Sequence, residues 1–97
     1  MAIQSFSDKS TKAFFESGKT PKKAKWQSVA KVALRKLDML DYASKLSDLK
    51  SPPNNQLEAL KRDLRGYSSI RINDQWRLIF RWTDSGPTEV KIMDYHK

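Results

Sequence analysis

Cysteine is absent from this 97-residue sequence, and histidine occurs once, at His96. Without thiols there is no disulfide framework and no thiolate metal site, which fits a reducing compartment. One imidazole leaves a zinc site without its usual ligands, although scattered carboxylates could in principle hold magnesium. Glycine is scarce as well, with three residues, and none forms the Gly-rich loop ahead of a helix that a P-loop requires. No partner set for a serine nucleophile is present. No apolar run approaches the roughly 20 residues of a membrane span, and the start, Met1-Ala2-Ile3-Gln4-Ser5-Phe6, lacks the layout of a secretory signal. The expectation is one cytoplasmic domain over residues 1–97, with no membrane partner, no metal and no cofactor.

Acidic residues are also in short supply: 11 against 19 lysines and arginines, a formal net charge of +8. The cations are clustered. Between Glu16 and Asp38 lie Lys19, Lys22, Lys23, Lys25, Lys31, Arg35 and Lys36 with no carboxylate, and between Leu60 and Thr83 lie Lys61, Arg62, Arg65, Arg71, Arg77 and Arg81 against Asp63 and Asp74. Cations gathered on defined segments are the electrostatic footprint of a polyanion-binding protein. Nucleic acid or an acidic protein is the expected partner.

The central stretch, residues 66–82, alternates with period two and predicts two strands joined at Asn73-Asp74. Ser68, Ile70 and Ile72, then Trp76, Leu78, Phe80 and Trp82, share an apolar face. Tyr67, Ser69, Arg71 and Asn73, then Arg77, Ile79 and Arg81, face the other way. A last strand follows Ser85-Gly86-Pro87, with Val90 and Ile92 on one side and Lys91, Met93 and Tyr95 on the other. Ahead of the hairpin, residues 24–45 carry Trp26, Val29, Ala30, Ala33, Leu34, Leu37, Leu40 and Ala43 at helical spacing, which predicts an amphipathic helix covering the apolar face. Residues 2–7 are read as a first strand. Ser7 or Asp8 caps a short helix through Ser17, with Ala13, Phe14 and Phe15 inward and Gly18 as its stop. Ser51 to Asn55, with two prolines, is a connection, and residues 56–60 begin an edge strand with Leu57 and Leu60 inward. The fold class is therefore α+β: N-terminal helices packed on one face of a small antiparallel sheet.

The opposite face then presents Arg71, Asn73, Arg77, Arg81, Lys91 and Tyr95, beside Lys61, Arg62 and Arg65 on a neighbouring bend. Cations interleaved with hydrogen-bonding and aromatic groups suit phosphates and stacked bases. A ribonuclease that works without a metal needs a base near the 2′-hydroxyl, an acid near the leaving oxygen and cations for the phosphorane. His96, Tyr95, Glu58, Asp94 and Lys61 are the proton-transfer candidates, and Arg77 is the phosphate clamp. Taken alone, a terminal histidine is more often solvated than catalytic, and such a face is also compatible with an ordinary wet sheet surface.

Ser69-Ile70-Arg71-Ile72-Asn73-Asp74-Gln75-Trp76-Arg77, Phe80-Arg81-Trp82 and Val90-Lys91-Ile92-Met93-Asp94-Tyr95-His96 together resemble the HigB branch of the RelE/ParE toxin superfamily. The similarity extends to Ser51-Pro52-Pro53, Leu57-Glu58-Ala59-Leu60-Lys61 and Ile3-Gln4-Ser5-Phe6. The resemblance implies the toxin of a bacterial type II toxin-antitoxin pair, a ribosome-dependent messenger RNA endonuclease needing no metal. Carried over by position, Lys61 and Arg77 bind and neutralise phosphate, Tyr95 and His96 orient or transfer protons, and Asp94 supports His96. Arg62, Arg65, Arg71, Asn73, Gln75 and Arg81 complete the RNA-binding expectation. Glu58 stands where some relatives place histidine, and Gln75 where some have asparagine. Arg62 and Leu64 replace a common glycine and arginine, which makes Arg65 the compensating cation. The implied partners are the ribosome, messenger RNA and a HigA-like helix-turn-helix antitoxin, through which alone the pair would reach operator DNA. Two alternatives remain open from the residues: a gyrase-inhibiting toxin on the same fold, and a non-catalytic basic module that binds RNA or protein.

Overall fold

A computed structural model describes residues 1–95. The first helix, α1 (Lys9–Ser17), starts where Asp8, in an extended conformation, accepts the Thr11 N–H on Oδ1 at 2.8 Å. That bond satisfies one of the donors orphaned at a helix start. Gly18 ends it at φ 74° and donates its N–H to Phe14 O at 2.8 Å, a left-handed geometry that a Cβ would strain. The expected cap and stop both hold. The inward face differs, because Thr11 and Phe14 are buried and Ala13 is exposed. Thr11 Oγ1 accepts the Ile92 N–H at 3.2 Å, so the helix is fastened to the last strand through the hydroxyl, and this sets its rotation.

The long amphipathic segment is shorter than its pattern predicts. A 3-10 turn at Gln27–Val29 leads into α2 (Ala30–Tyr42). Trp26 lies before the helix and anchors the core, its ring centroid 4.8 Å from that of Phe14. At the other end Ala43 is extended, and Asp48 Oδ2 takes the N–H groups of Ser44 at 2.9 Å and Lys45 at 3.3 Å, drawing the chain away from the helix axis. Ala33, Leu37 and Leu40 are buried as the spacing requires, whereas Leu34 is only half-buried. Lys36 leaves the cationic band altogether: it is 3% exposed, and its Nζ donates to the buried Asn55 Oδ1. Asn55 in turn donates through Nδ2 to Leu49 O at 3.1 Å and Ser51 O at 3.3 Å, closing the proline-containing connection.

Four antiparallel strands follow in the order β1 (Glu58–Ala59), β2 (Ser68–Arg71), β3 (Trp76–Thr83) and β4 (Gly86–Asp94). Ile70 pairs with Leu78, and Leu78 with Ile92, which confirms the alternation read from the hairpin and the last strand. This face meets α1 and α2 in one core that includes Phe14, Trp26, Leu37, Leu40, Ile70, Leu78, Phe80 and Val90. Each such side chain contributes about 1.5–3 kcal/mol by burial. The register shifts between Ile79 and Arg81, where Glu89 takes φ 52° in a bulge of β4.

Two expectations are corrected at the sheet. Residues 2–7 form no strand; Phe6 makes a parallel bridge to Val90, flanked by Ser7 N to Val90 O at 2.9 Å and Val90 N to Ser5 O at 3.1 Å. The mixed composition of this segment supplies too few alternating apolar side chains to hold a longer ladder. The face opposite the core is also not uniformly wet: Ser69, Ile79 and Leu60 on it are buried. Strand alternation assigned Ser69 and Ile79 to this side, whereas Leu60, expected inward, is buried outside the main core.

Candidate active site

On this second face β2 contributes Ser69 and Arg71, β3 contributes Arg77, and β1 contributes Glu58 directly opposite Ser69. Tyr95 follows β4 and is fixed by its N–H, which donates to Gln75 O at 2.7 Å. Two open depressions result. One, of about 440 Å³, is lined by Gln56, Glu58, Arg71, Asn73, Asp74, Arg77 and Tyr95. The other, of about 490 Å³, is lined by residues 58–62 and Tyr95. Glu58 and Tyr95 border both.

Arg77 is the most constrained cation among these. Its Nε donates to Ser69 Oγ at 2.7 Å and its Nη2 to Gln56 O at 2.5 Å. Gln56 presents that carbonyl from a left-handed conformation, φ 47°, at the end of the Pro53–Asn55 turn. A non-glycine residue there costs on the order of 1 kcal/mol, a strain typical of functional sites. Burial holds the Arg77 guanidinium below arginine's usual pKa; Glu58 and then Tyr95 push it up, and Arg71 pushes it down. An arginine keeps its charge under such shifts. The result is a partly desolvated, immobilised cation facing an open groove, which is what binding a phosphate at one fixed position requires.

The hairpin turn shapes one rim. Asn73 Oδ1 accepts the N–H groups of Gln75 at 2.9 Å and Trp76 at 2.7 Å, so the side chain that sequence assigned to RNA also builds the turn. Arg71 Nη2 is bonded to Asp74 Oδ1 at that rim, and Asp74 is fully open to solvent. Gln75 Nε2 donates to Asp94 Oδ2 at 3.0 Å. Lys61 and Arg62 line the second depression, and Arg62 also holds a left-handed backbone, φ 57°.

Not every expected RNA-binding cation borders these grooves. Arg65 is exposed and lines neither. Arg81 pairs through Nε with Glu89 Oε2 at 3.2 Å and lies 4.3 Å over the Tyr67 ring, while Tyr67 OH donates to Glu89 Oε1 at 2.8 Å. His96 lies outside the described residues. Sequence reasoning placed Ser69 on its strand and face, but began the edge strand at residue 56, whereas β1 covers only Glu58–Ala59 and Gln56 is the left-handed end of the preceding turn; it missed both residues as partners of Arg77. The Ser69 contact crosses the predicted hairpin diagonally, and the Gln56 contact joins segments 21 positions apart, which no local pattern announces. Among the described residues no three His, Cys, Asp or Glu side chains gather to hold a metal, and no helix is long and apolar enough to cross a membrane.

Comparison with known proteins places this face in context. A family model described as the RelE-like toxin of type II toxin-antitoxin system HigB matches residues 4–96. Toxin HigB-1 of Vibrio cholerae is 41% identical over 97 residues, covering 100% of this chain and 99% of that protein. Endoribonuclease HigB of Proteus vulgaris is 33% identical over 97 residues, covering 97% and 99%. Among solved structures, a YoeB dimer from Staphylococcus aureus superposes with a TM-score of 0.57 at 22% identity, covering 100% of this chain and 98% of that one. A YoeB/ParE toxin from Agrobacterium tumefaciens gives 0.55 at 24%, covering 99% and 100%. At these identities the structural likeness speaks for the α+β fold.

Proposed function

The chain belongs to the HigB-like family of type II toxins, and from that premise we propose that it is an endoribonuclease that cuts messenger RNA on the translating ribosome without a metal. The observation that carries the reading is the setting of Arg77. Its guanidinium is immobilised by Ser69 and Gln56 in a groove that also holds Glu58 and Tyr95, and the adjoining groove leads to Lys61 and Arg62. The relative from Proteus vulgaris, named an endoribonuclease, supports the same chemistry.

In the proposed reaction the 2′-oxygen of one nucleotide attacks the adjacent phosphorus and gives its proton to a base. The bond from phosphorus to the 5′-oxygen breaks, and that oxygen takes a proton from an acid. The products are a 2′,3′-cyclic phosphate and a 5′-hydroxyl. Arg77 balances the charge that builds on the phosphorane, while Lys61 and Arg62 hold the neighbouring phosphate backbone. Proton transfer falls in this reading to Glu58 and Tyr95, which border both grooves; His96, Asp94 and Lys61 complete the candidate set. Membership of a toxin-antitoxin family implies an antitoxin partner. We take that partner to be a HigA-like helix-turn-helix protein that supplies operator DNA binding, and the site of action to be the cytoplasm.

Primer extension on a defined messenger RNA in a purified translation system, with and without ribosomes, tests the reading. Cuts that require ribosomes and vanish in Arg77→Ala are expected. Intact messenger RNA with translation still running would overturn it, and would leave binding or gyrase inhibition as the function to examine.

A further inference from the structure

Ser69 is 0% exposed, on a strand position flanked by Glu58 of β1 and Ile79 of β3. An alanine would fill such a position without burying a hydroxyl, and a buried hydroxyl is costly unless it is bonded. Here the hydroxyl has a defined task. It accepts the Nε–H of Arg77 at 2.7 Å, and Gln56 O accepts from Nη2 at 2.5 Å. Nε and Nη2 form one edge of the planar guanidinium. With that edge occupied by protein, the remaining N–H groups lie on the end of the fork, Nη1 and the outer hydrogen of Nη2, on a residue that lines the open groove.

We infer that Ser69 is a positioning residue: it fixes the Arg77 guanidinium so that a phosphate in the groove is met end-on, by the Nη1 and Nη2 edge. Gln56 O alone leaves rotation about the Cδ–Nε bond unopposed at the Nε side, so the second acceptor determines the orientation of the plane. A phosphorane gains from a donor pair already aligned before the charge develops. The kinetic part of this inference rests on the proposed RNA cleavage; the orientation of Arg77 does not.

Three variants test it: Ser69→Ala removes the acceptor, Ser69→Cys keeps the shape with a weak acceptor, and Ser69→Thr keeps the oxygen. The expected result is a fall in kcat of about tenfold for Ala and Cys with little change in KM, the size of one net hydrogen bond, and recovery in Thr. A merely structural serine would lower the melting temperature and leave kcat intact well below it. In parallel, the Arg77 Nε–H resonance of ¹⁵N-labelled protein is followed by NMR while a 2′-O-methyl RNA oligonucleotide, which this mechanism cannot cleave, is added. Wild type should show a slowly exchanging signal that shifts on binding, and Ser69→Ala should lose the slow exchange. Failure of the wild type to cut any RNA would remove the activity reading, with the NMR arm still deciding the role of Ser69. Equal protection of Nε–H in Ser69→Ala, or a wild-type signal that ignores the oligonucleotide, would overturn the inference.

Discussion

Glu58 and Tyr95 border the same two grooves from opposite sides of the sheet, Glu58 on β1 and Tyr95 just past β4. Arg77 lines the groove between them.

This arrangement makes Glu58 and Tyr95 the first proton-transfer pair to test. Glu58→Gln and Tyr95→Phe keep shape while removing an ionisable carboxylate and a phenol. At least one should lose on the order of 10²-fold in single-turnover cleavage, the lower end for general acid–base catalysis, and should flatten one limb of the pH–rate profile. Wild-type profiles from both variants would move the assignment to His96, Asp94 or Lys61.

Arg77→Ala should lose about 10²–10³-fold in cleavage, as removal of a fixed donor at a developing charge does. Arg77→Lys should recover little, because a lysine cannot satisfy Ser69, Gln56 and a phosphate with one planar fork. Circular dichroism melts of the two variants separate this from unfolding. A fully active lysine variant would show that charge alone suffices.

Arg81 should behave differently despite its place in the same basic run. Its guanidinium is engaged with Glu89 and the Tyr67 ring. Arg81→Gln is expected to cost up to about 1 kcal/mol of stability, the scale of a partly exposed ion pair, and to reduce cleavage less than Arg71→Gln does. Urea titrations alongside cleavage assays decide this, and the reverse order would return Arg81 to the RNA path.

Lys36 predicts an alkaline effect. Burial first, then Arg35 and Arg71, lower its pKa from the ordinary 10.5. Between the lowered folded value and 10.5 the unfolded chain binds more protons than the folded one, so this group's contribution to stability rises with pH across that window. Below it, the folded protein carries the full cost of burying the charge. Lys36→Met removes the titration, so the stability of wild type relative to the variant should improve as pH climbs toward 10.5. Parallel curves in denaturant melts across that range would refute it.

The sequence by itself determined the two faces of the central hairpin and the ends of the first helix. Alternation in residues 68–82 assigned Ile70, Leu78 and Phe80 to the core and Arg71 and Arg77 to the opposite side, because side chains on a strand can only take one face or the other. Asp8 and Gly18 marked the ends of α1 through chemistry that acts within a few residues. Tertiary structure alone decided what each face became. Lys36 is buried because Asn55, 19 positions on, offers it an acceptor; Ala13 is exposed because Thr11 is held by Ile92. Ser69 orients Arg77, and Glu89 captures Arg81, through bonds between strands. A period of two or 3.6 records which way a side chain points, but which polar group waits there is fixed only when distant segments pack.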